Sequence, residues 1–295
     1  MVVKLKISAM SKINLGLDVL KRRPDGYHEV RMVMQSLALC DELDIEKRND
    51  DRIIITCNDI SLECDENNLI YKAAKRITEE AGVTAGFDIE LTKNIPIAAG
   101  MAGGSTDAAA TLVALNEILK LGMDAAALKR TGVKIGADVP FCIEGGTQLS
   151  EGIGEKLTIL RPAPKCYVAV AKPHIGVSTK YVYENLHVDT IKVHPDMDGE
   201  LDAIENGDLR KMCTCMENIL ENVTQTKYPV IAMLKDKLKE NGALGALMSG
   251  SGPTVFGLFE DETMANHAIN ELKKTGEVSF GCVTTFSDRT CVMSR

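Results

Sequence analysis

The first half of the chain alternates between two periods of apolar and polar residues. A period of two predicts β-strands, and a period near 3.6 predicts helices. Asn67 and Asn68 offer capping side chains for a helix that we expect directly after them, and Pro24-Asp25-Gly26 predicts a turn. The expected strands are 4–8, 13–20, 43–45, 52–57 and 87–92, and the expected helices are 69–77, 106–121 and 125–135.

The second half repeats this mixture after a window rich in glycine and proline. Four glycines and two prolines lie between residues 144 and 164, which predicts a domain boundary there. The strands expected beyond it are 165–172, 254–260 and 282–286, and the helices are 201–223, 230–241 and 262–274. Strands mixed with pairs of helices predict an α+β fold of two domains side by side, residues 1–158 and 159–295.

Composition excludes several classes of protein. The chain has 295 residues, of which 45% are hydrophobic and 26% charged, as in globular proteins large enough to bury a core. The net charge is −8, which argues against a protein that holds nucleic acid by neutralising phosphates. No uninterrupted apolar stretch approaches the roughly 18 residues that a membrane span needs, so we expect no membrane partner.

The cysteines and the first residues predict a cytoplasmic protein. Residues 1–10 contain two lysines and no apolar run of the kind found in signal peptides. The nine cysteines are an odd number without a C-x-x-C pair, which favours reduced core thiols over disulfides or a zinc site. The five histidines show no metal-ligand spacing, so no metal-binding side chains are predicted.

A connection rich in glycine and alanine, residues 96–108, lies between a predicted strand and a long predicted helix. Small residues let backbone N–H groups approach an anion, and the helix N-terminus adds unpaired N–H groups and a positive dipole end. This pattern indicates a phosphate-binding loop, although it matches neither the Walker nor the G-x-G-x-x-G spacing. The alternative is a tight turn that Ser105 or Thr106 caps.

Three further segments carry candidate chemistry. Lys12 and Asn14 lie on one face of a predicted strand, where they could form the wall of an anion site or simply an exposed edge. Asp138 stands between small and apolar residues, as either a helix cap or a carboxylate held for general-base work. Residues 249–254 form a second glycine loop, whose alternative is a flexible turn.

These four segments, in this order, resemble the GHMP superfamily of small-molecule kinases. Residues 96–110 and 245–257 are similar to its second and third motifs. The Asp-Gly-Tyr-His sequence at 25–28, with segments 12–15, 68–74 and 136–141, resembles the members that act on a cytidyl diphosphate sugar alcohol.

The resemblance implies a fold, ligands and residue roles. It implies an N-terminal domain like the second domain of a ribosomal small-subunit protein, a ferredoxin-like C-terminal domain and ATP between them. Lys12 and Asp138 would be the catalytic pair, and Mg²⁺ would bridge phosphate oxygens, helped by Ser105 or Thr106 but by no dedicated carboxylate. The cytidyl substrate would meet Asn14, Tyr27, His28 and Tyr183. The ATP phosphates would be wrapped by Gly100, Met101, Ala102, Gly103, Gly104, Ser105, Thr106, Asp107, Ala108, Ala109 and Ala110.

Two residues depart from the superfamily pattern, and two other functions stay open. Ala102 stands where many members have glycine, and Thr106 stands where serine is commoner; alanine tolerates fewer backbone conformations. The alternatives are another GHMP kinase, acting on homoserine or mevalonate, and a nucleotide-binding relative without turnover. With no Trp, six Tyr and six Phe, base stacking has few candidates, which gives Tyr27 and Tyr183 weight. We expect a small-molecule substrate and either a monomer or a weak homodimer.

Overall fold

The fold is described from a computed structural model, which defines residues 4–289 and 291–294. Its first half contains strands β1 to β6 and helices α1 to α4. In chain order they are β1 Lys4–Arg22, β2 His28–Lys47, β3 Ile53–Cys57, α1 Leu69–Ala81, β4 Phe87–Thr92, α2 Gly103–Leu119, α3 Ala125–Gly132, α4 Val139–Glu144, β5 Thr147–Gly152 and β6 Lys156–Ile159.

The second half contains the remaining elements. In chain order they are β7 Tyr167–Pro173, α5 Thr179–Glu184, a 3-10 turn Val188–Thr190, α6 Met197–Glu205, α7 Leu209–Cys215, α8 Glu221–Lys227, α9 Val230–Glu240, β8 Gly245–Met248, β9 Val255–Phe259, α10 Glu262–Lys274, β10 Val278–Thr285 and β11 Cys291–Ser294. Among the described helices, none has the length and apolar character needed to cross a bilayer.

Two sheets organise the described chain. The first has seven strands, with β11, β1, β2, β4 and β3 in order and with the β5–β6 hairpin attached to β2. The second has the order β10, β7, β9, β8 and is antiparallel throughout. Helix α2 packs against β1 and β2, and α9 and α10 pack against the second sheet. Helices packed on largely antiparallel sheets confirm the α+β prediction.

The long hairpin of β1 and β2 is bulged where the candidate residues lie. The register between the two strands shifts between Met10 and Lys12, and again between Asn14 and Gly16. An extra residue in one strand bends it and re-aims the side chains that follow. Lys12 and Asn14 therefore stand on a short segment of β1 between two irregularities.

The structure corrects several predicted elements. The strands expected at 4–8 and 13–20 form one strand, and the helix expected at 201–223 is three helices, α6 to α8. The window at 144–161 contains the β5–β6 hairpin rather than a linker. Its glycines serve turns, since Gly145, Gly146, Gly152 and Gly154 have positive φ. The division at residue 158 stays a prediction, and β11 pairs across it with β1.

Candidate active site

A cavity of about 1140 Å³ opens between the two halves of the chain. Its wall combines the turn between β1 and β2, the start of α4, helix α5 and two glycine loops. Residues 96–108 are the first glycine loop, and residues 249–254 are the second. Residues predicted from the sequence that line it are Lys12, Asn14, Tyr27, His28, Gly100, Ala102, Ser105, Asp138 and Tyr183. The fold therefore brings together residues from five separate segments of the sequence.

Lys12 is a buried residue of β1, not an exposed edge lysine. It is only 5% exposed, and its Nζ donates a hydrogen bond of 2.8 Å to Oδ1 of the fully buried Asn14. Its backbone N–H donates to the carbonyl of Met101 at 3.1 Å, which ties the strand to the first glycine loop. A buried ammonium group needs polar partners that replace its lost hydration, and Asn14 is such a partner for Lys12.

Asp138 occupies the N-cap position of α4 but does not cap it. Its side chain accepts no capping hydrogen bond, and its Oδ2 lies 3.7 Å from Nζ of Lys12. One third of the side chain remains exposed to the cavity. The capping interpretation is therefore wrong, and the carboxylate is free to contact a ligand beside an ammonium group.

The first glycine loop adopts backbone conformations that alanine rarely takes. Gly100, Ala98 and Ala102 have φ of 74°, 51° and 57°, all in the left-handed region. For an alanine this conformation costs roughly 1–2 kcal/mol. Ala102 is also the N-cap residue of α2, so no side chain at that position caps the first turn. The alternative interpretation, a tight turn capped by Ser105 or Thr106, is therefore wrong. The N-terminus of α2 keeps unpaired N–H groups that can bind another partner.

Only part of the predicted phosphate-binding segment faces this cavity. The hydroxyl of Thr106 donates to the carbonyl of Met10 at 2.7 Å, and Met101 is 1% exposed in the apolar core. Ala108, Ala109 and Ala110 are fully buried in the core, so direct contact with a nucleotide is not expected from them.

A smaller cavity of about 400 Å³ lies beside the same loop. Gly103, Gly104 and Asp107 line it, with Asn67 and Asn68 from the segment before α1 among the facing residues. Residues 100–105 therefore contribute to the walls of two cavities.

The second glycine loop packs directly on the first. The hydroxyl of Ser249 donates to the carbonyl of Gly100 at 2.9 Å. A Cβ on Gly100 would lie 2.4 Å from the carbonyl oxygen of Ser249, so only glycine allows this approach. A Cβ on Gly250 would lie 3.8 Å from Nζ of Lys12. The flexible-turn interpretation is wrong, because the loop is bound in place next to the candidate catalytic pair.

Sequence reasoning missed the residues that hold this loop. Nδ2 of the buried Asn218 donates to the carbonyls of Met248 and Gly250, both at 2.8 Å. Its neighbours pair with β1 through the backbone of Leu17. The hydroxyl of Thr179 lies 2.8 Å from that of Ser251. Asn218 stands in a stretch with helical spacing, and nothing in the sequence marks it as a loop anchor.

Aromatic rings form another part of the wall. The rings of His28 and Tyr183 have centroids 5.2 Å apart and planes inclined by 38°, whereas Tyr27 is 61% exposed. Burial, with a smaller contribution from Asp138, raises the pKa of Tyr183 to about 12. Burial and then the charge of Arg22 lower the pKa of His28 below its ordinary value. Both rings are therefore uncharged near neutral pH.

Comparison with known families assigns both halves of the chain. Residues 68–146 match the GHMP kinases N terminal domain, and residues 201–278 match the GHMP kinases C terminal family. A 4-diphosphocytidyl-2-C-methyl-D-erythritol kinase of Clostridium perfringens is 49% identical over 269 residues, covering 91% of this chain and 93% of that protein. The enzyme of the same name from Geobacillus sp. is 48% identical over 271 residues, covering 92% and 93%.

Solved structures agree with these matches. A crystal structure of a 4-(cytidine 5'-diphospho)-2C-methyl-D-erythritol kinase superposes with a TM-score of 0.82 at 31% identity, covering 96% of this chain and 99% of that one. A homoserine kinase from Cytophaga hutchinsonii has a TM-score of 0.80 at 22% identity, covering 99% and 97%, which shows a common fold. The chain belongs to the GHMP kinase superfamily and, within it, to the family of 4-diphosphocytidyl-2-C-methyl-D-erythritol kinases.

Proposed function

We propose that this chain transfers the γ-phosphoryl group of ATP to the 2-hydroxyl of 4-diphosphocytidyl-2-C-methyl-D-erythritol. The products are the 2-phosphate and ADP, a step of the non-mevalonate route to isopentenyl diphosphate. The observation that carries the proposal is the approach of Lys12 Nζ to Asp138 Oδ2, 3.7 Å apart, in a cavity that also contains aromatic side chains and both glycine loops.

The first glycine loop suits the phosphates of ATP. A Cβ at position 100 would collide with the second glycine loop, and Gly100 has none. The side chain of Ala102, the N-cap residue of α2, does not cap the N–H groups of the first turn. Backbone N–H groups at a helix N-terminus bind anions well, and the helix dipole adds to the attraction. The smaller cavity on the Gly103 side of the loop offers room for the rest of the nucleotide, leaving the larger one for the acceptor.

Asp138 and Lys12 would act on the acceptor hydroxyl and on the charge of the transferred group. ATP supplies the γ-phosphoryl group, whose loose transition state places little demand on covalent catalysis by the protein. The partly exposed carboxylate of Asp138 orients the 2-hydroxyl and accepts its proton. The ammonium of Lys12, fixed by Asn14, offsets negative charge at the attacking oxygen and on the phosphoryl oxygens.

The aromatic part of the cavity suits the cytosine base. Tyr27 offers an exposed ring, and Tyr183 offers a second ring beside His28. A base stacked on aromatic rings gains affinity through its face, and an uncharged imidazole can donate or accept a hydrogen bond at its edge. Asn14 lies in the same wall, although its side-chain oxygen is already occupied by Lys12.

Mg²⁺ would bind mainly through the phosphates of ATP. Within residues 4–289 and 291–294, no three His, Cys, Asp or Glu side chains come together in a way that could hold a metal ion. The hydroxyl of Thr106 already donates a hydrogen bond to the carbonyl of Met10, whereas Ser105 of the same loop lines the larger cavity. Mg²⁺ commonly keeps waters and phosphate oxygens as ligands, so a sparse protein contribution is compatible with its use.

A single-turnover assay with labelled ATP tests the proposal. The acceptors are 4-diphosphocytidyl-2-C-methyl-D-erythritol, homoserine and mevalonate, each offered separately. We expect label on the cytidyl compound alone. Transfer to homoserine or mevalonate instead would favour another kinase of the superfamily, and tight ATP binding without transfer to any acceptor would favour a non-catalytic relative. The pairing of Lys12 with Asp138 argues against that relative.

A further inference from the structure

A buried group of three ionisable residues connects the beginning of the first glycine loop with its end. The ammonium of Lys93, just before the loop, donates a hydrogen bond to Asp41 of β2 and a second one of 2.9 Å to Oδ2 of Asp107 in α2. The side chains of Lys93, Asp41 and Asp107 are 5%, 0% and 3% exposed. We call these residues the Lys93 cluster.

The two carboxylates of the Lys93 cluster have different surroundings. Oδ1 of Asp41 also accepts backbone N–H groups of Asn94 at 2.6 Å and Ile95 at 2.8 Å. Asp107 relies on Lys93, because its buried Oδ1 has no hydrogen-bond partner among the described residues. Asp41 therefore fixes the segment that leads into the loop, and the contact between Lys93 and Asp107 joins that segment to the helix.

Lys93 also lies directly against the backbone of the first glycine loop at Gly103. A Cβ on Gly103, the first residue of α2, would lie 3.1 Å from Nζ of Lys93. Lys93, Asp107 and Gly103 line the same smaller cavity. A shift of the ammonium group would therefore change the space next to the N–H groups that the ATP phosphates need.

The loop between the two ends of the cluster is strained. Ala98 and Ala102 both hold positive φ, a conformation that persists only where the surrounding structure enforces it. Buried ion pairs add little net stability, because desolvation opposes their attraction, but in some proteins they fix one geometry among several. The Lys93 cluster has the position needed for that role.

We propose that Lys93, held between Asp41 and Asp107, is a positioning residue that fixes the first glycine loop in the conformation that binds ATP. The proposal rests on the proposed function, since it assigns the ATP phosphates to this loop. It places no member of the cluster on the reacting atoms. The cytidyl substrate contacts other elements, so the cluster should affect the two substrates unequally.

Asp107→Ala and Asp107→Asn test the proposal. Lys93→Met is less suitable, because two buried carboxylates without a counterion could prevent folding. Alanine removes the acceptor for Lys93, whereas asparagine keeps an oxygen at the same place. We expect Asp107→Ala to weaken binding of a non-hydrolysable ATP analogue and to raise the KM for ATP by about 10- to 100-fold, the effect of losing a charge-assisted hydrogen bond. The KM for the cytidyl substrate should change less than about 3-fold, and Asp107→Asn should restore much of the ATP affinity.

Leu272→Ala is the matched control for lost stability. Leu272 is fully buried in α10, away from both glycine loops, so this variant should lower the Tm without moving either KM. Equal changes in both KM values of Asp107→Ala, or ATP affinity at the wild-type level in a folded Asp107→Ala, would overturn the proposal. A wild-type protein that binds the ATP analogue but phosphorylates no acceptor would refute the proposed function, while the comparison of analogue affinities would still test the loop.

Discussion

At the scale of single residues, the site depends on side chains that the fold removes from their usual roles. Asp138 stands at a helix N-cap without capping, and Lys12 is buried in a strand where a surface lysine would be ordinary. Both departures leave the two groups directed at each other across 3.7 Å. A residue that gives up a stabilising role at its own position is a reasonable candidate for a functional one.

Removing the carboxylate charge of Asp138 tests its assigned role. Asp138→Asn keeps the shape of the side chain but cannot accept the proton of the hydroxyl, so we expect turnover to fall by roughly 100- to 10,000-fold. Affinity for ATP should remain nearly intact, as measured by equilibrium binding. Glu144→Gln, the same chemical change at the other end of α4, is the control and should retain normal turnover. Near-normal turnover of Asp138→Asn would exclude Asp138 as the base.

Tyr27 allows a test of the nucleobase wall with little risk to folding, because its ring is 61% exposed. Tyr27→Ala should raise the KM for the cytidyl substrate by roughly 5- to 150-fold, the range expected for one lost stacking contact. The KM for ATP should stay within about 2-fold, as measured in steady-state assays. Leu20→Ala, on the same hairpin and half exposed, should change neither value. An equal loss for both substrates would contradict a dedicated cytosine site.

At the scale of elements, the sequence predictions succeeded where the local pattern shows which face is buried, and they failed where neighbouring strands supply the burial. Helix α10 occupies the predicted residues 262–274, because Asp261 caps it and one face of it is apolar. The first part of β2 was missed, since residues 32–37 are buried on both faces and show no alternation. In the β5–β6 hairpin, the buried polar residues Gln148 and Ser150 and the flanking glycines concealed a strand. Local pattern does not identify such strands, because their neighbours in the sheet supply the burial.

The site was predictable as a set of segments but not as a geometry. Glycine loops, a lysine on a strand and an isolated aspartate each had an ordinary alternative, and only their common resemblance to one superfamily favoured function. The contacts that assemble them, such as Asn218 with the second loop or Thr106 with Met10, join residues far apart in the sequence. Spacing along one chain contains no information on such contacts.

The contact between the two glycine loops is an element-scale prediction. In Gly100→Ala, the new Cβ would meet the carbonyl oxygens of Ser249 and Gly252 at 2.4 and 3.1 Å, so the loops must separate. A displacement near 1 Å at a reacting group lowers turnover by roughly 100-fold, which is the change expected for kcat/KM. Gly122→Ala is the matched control, because Gly122 also has positive φ, at 67°, but open space around its Cβ position.

Gly122→Ala should lose roughly 1 kcal/mol of stability to the left-handed backbone. Gly100→Ala should lose more, because its loops must also separate, and chemical unfolding measures both losses. Only Gly100→Ala should lose activity. If the two variants were equally active, the packing of the loops would not contribute to the geometry of the site.

At the scale of the whole molecule, a chain of net charge −8 binds two polyphosphate substrates under this proposal. The wall of the larger cavity contains the cations Lys12, Arg22 and Lys180, but also the acids Asp138, Glu184 and Asp189. Side-chain charge alone therefore gives the cavity little net attraction for anions. Backbone N–H groups and the N-terminus of α2 must supply much of it, which explains why glycine loops from both halves of the chain converge there.

The stability of the whole molecule should depend on pH through Glu200, a residue of α6 outside the active site. Glu200 is fully buried against Gly16 of β1, and neither of its oxygens has a hydrogen-bond partner among the described residues. Burial raises the pKa of its carboxyl group from an ordinary 4.5 to about 8. Between these values the folded chain keeps a proton that the unfolded chain releases. The free energy of unfolding therefore falls as pH rises through this window, by up to about 1.4 kcal/mol per pH unit, and levels off above it.

Glu200→Gln removes this dependence, because glutamine fills the same space and does not titrate. At pH 5 the variant and the wild-type protein should have nearly the same Tm. At pH 8 the variant should have a Tm several degrees higher, because the wild-type protein must either bury a charged carboxylate or keep it protonated at a pH where the unfolded chain releases the proton. Glu205→Gln, on the same helix but with its side chain exposed, should follow the wild-type curve. Parallel curves for Glu200→Gln and the wild-type protein between pH 5 and pH 8 would show that the buried carboxyl group titrates normally, through hydration or a local opening of α6 against β1.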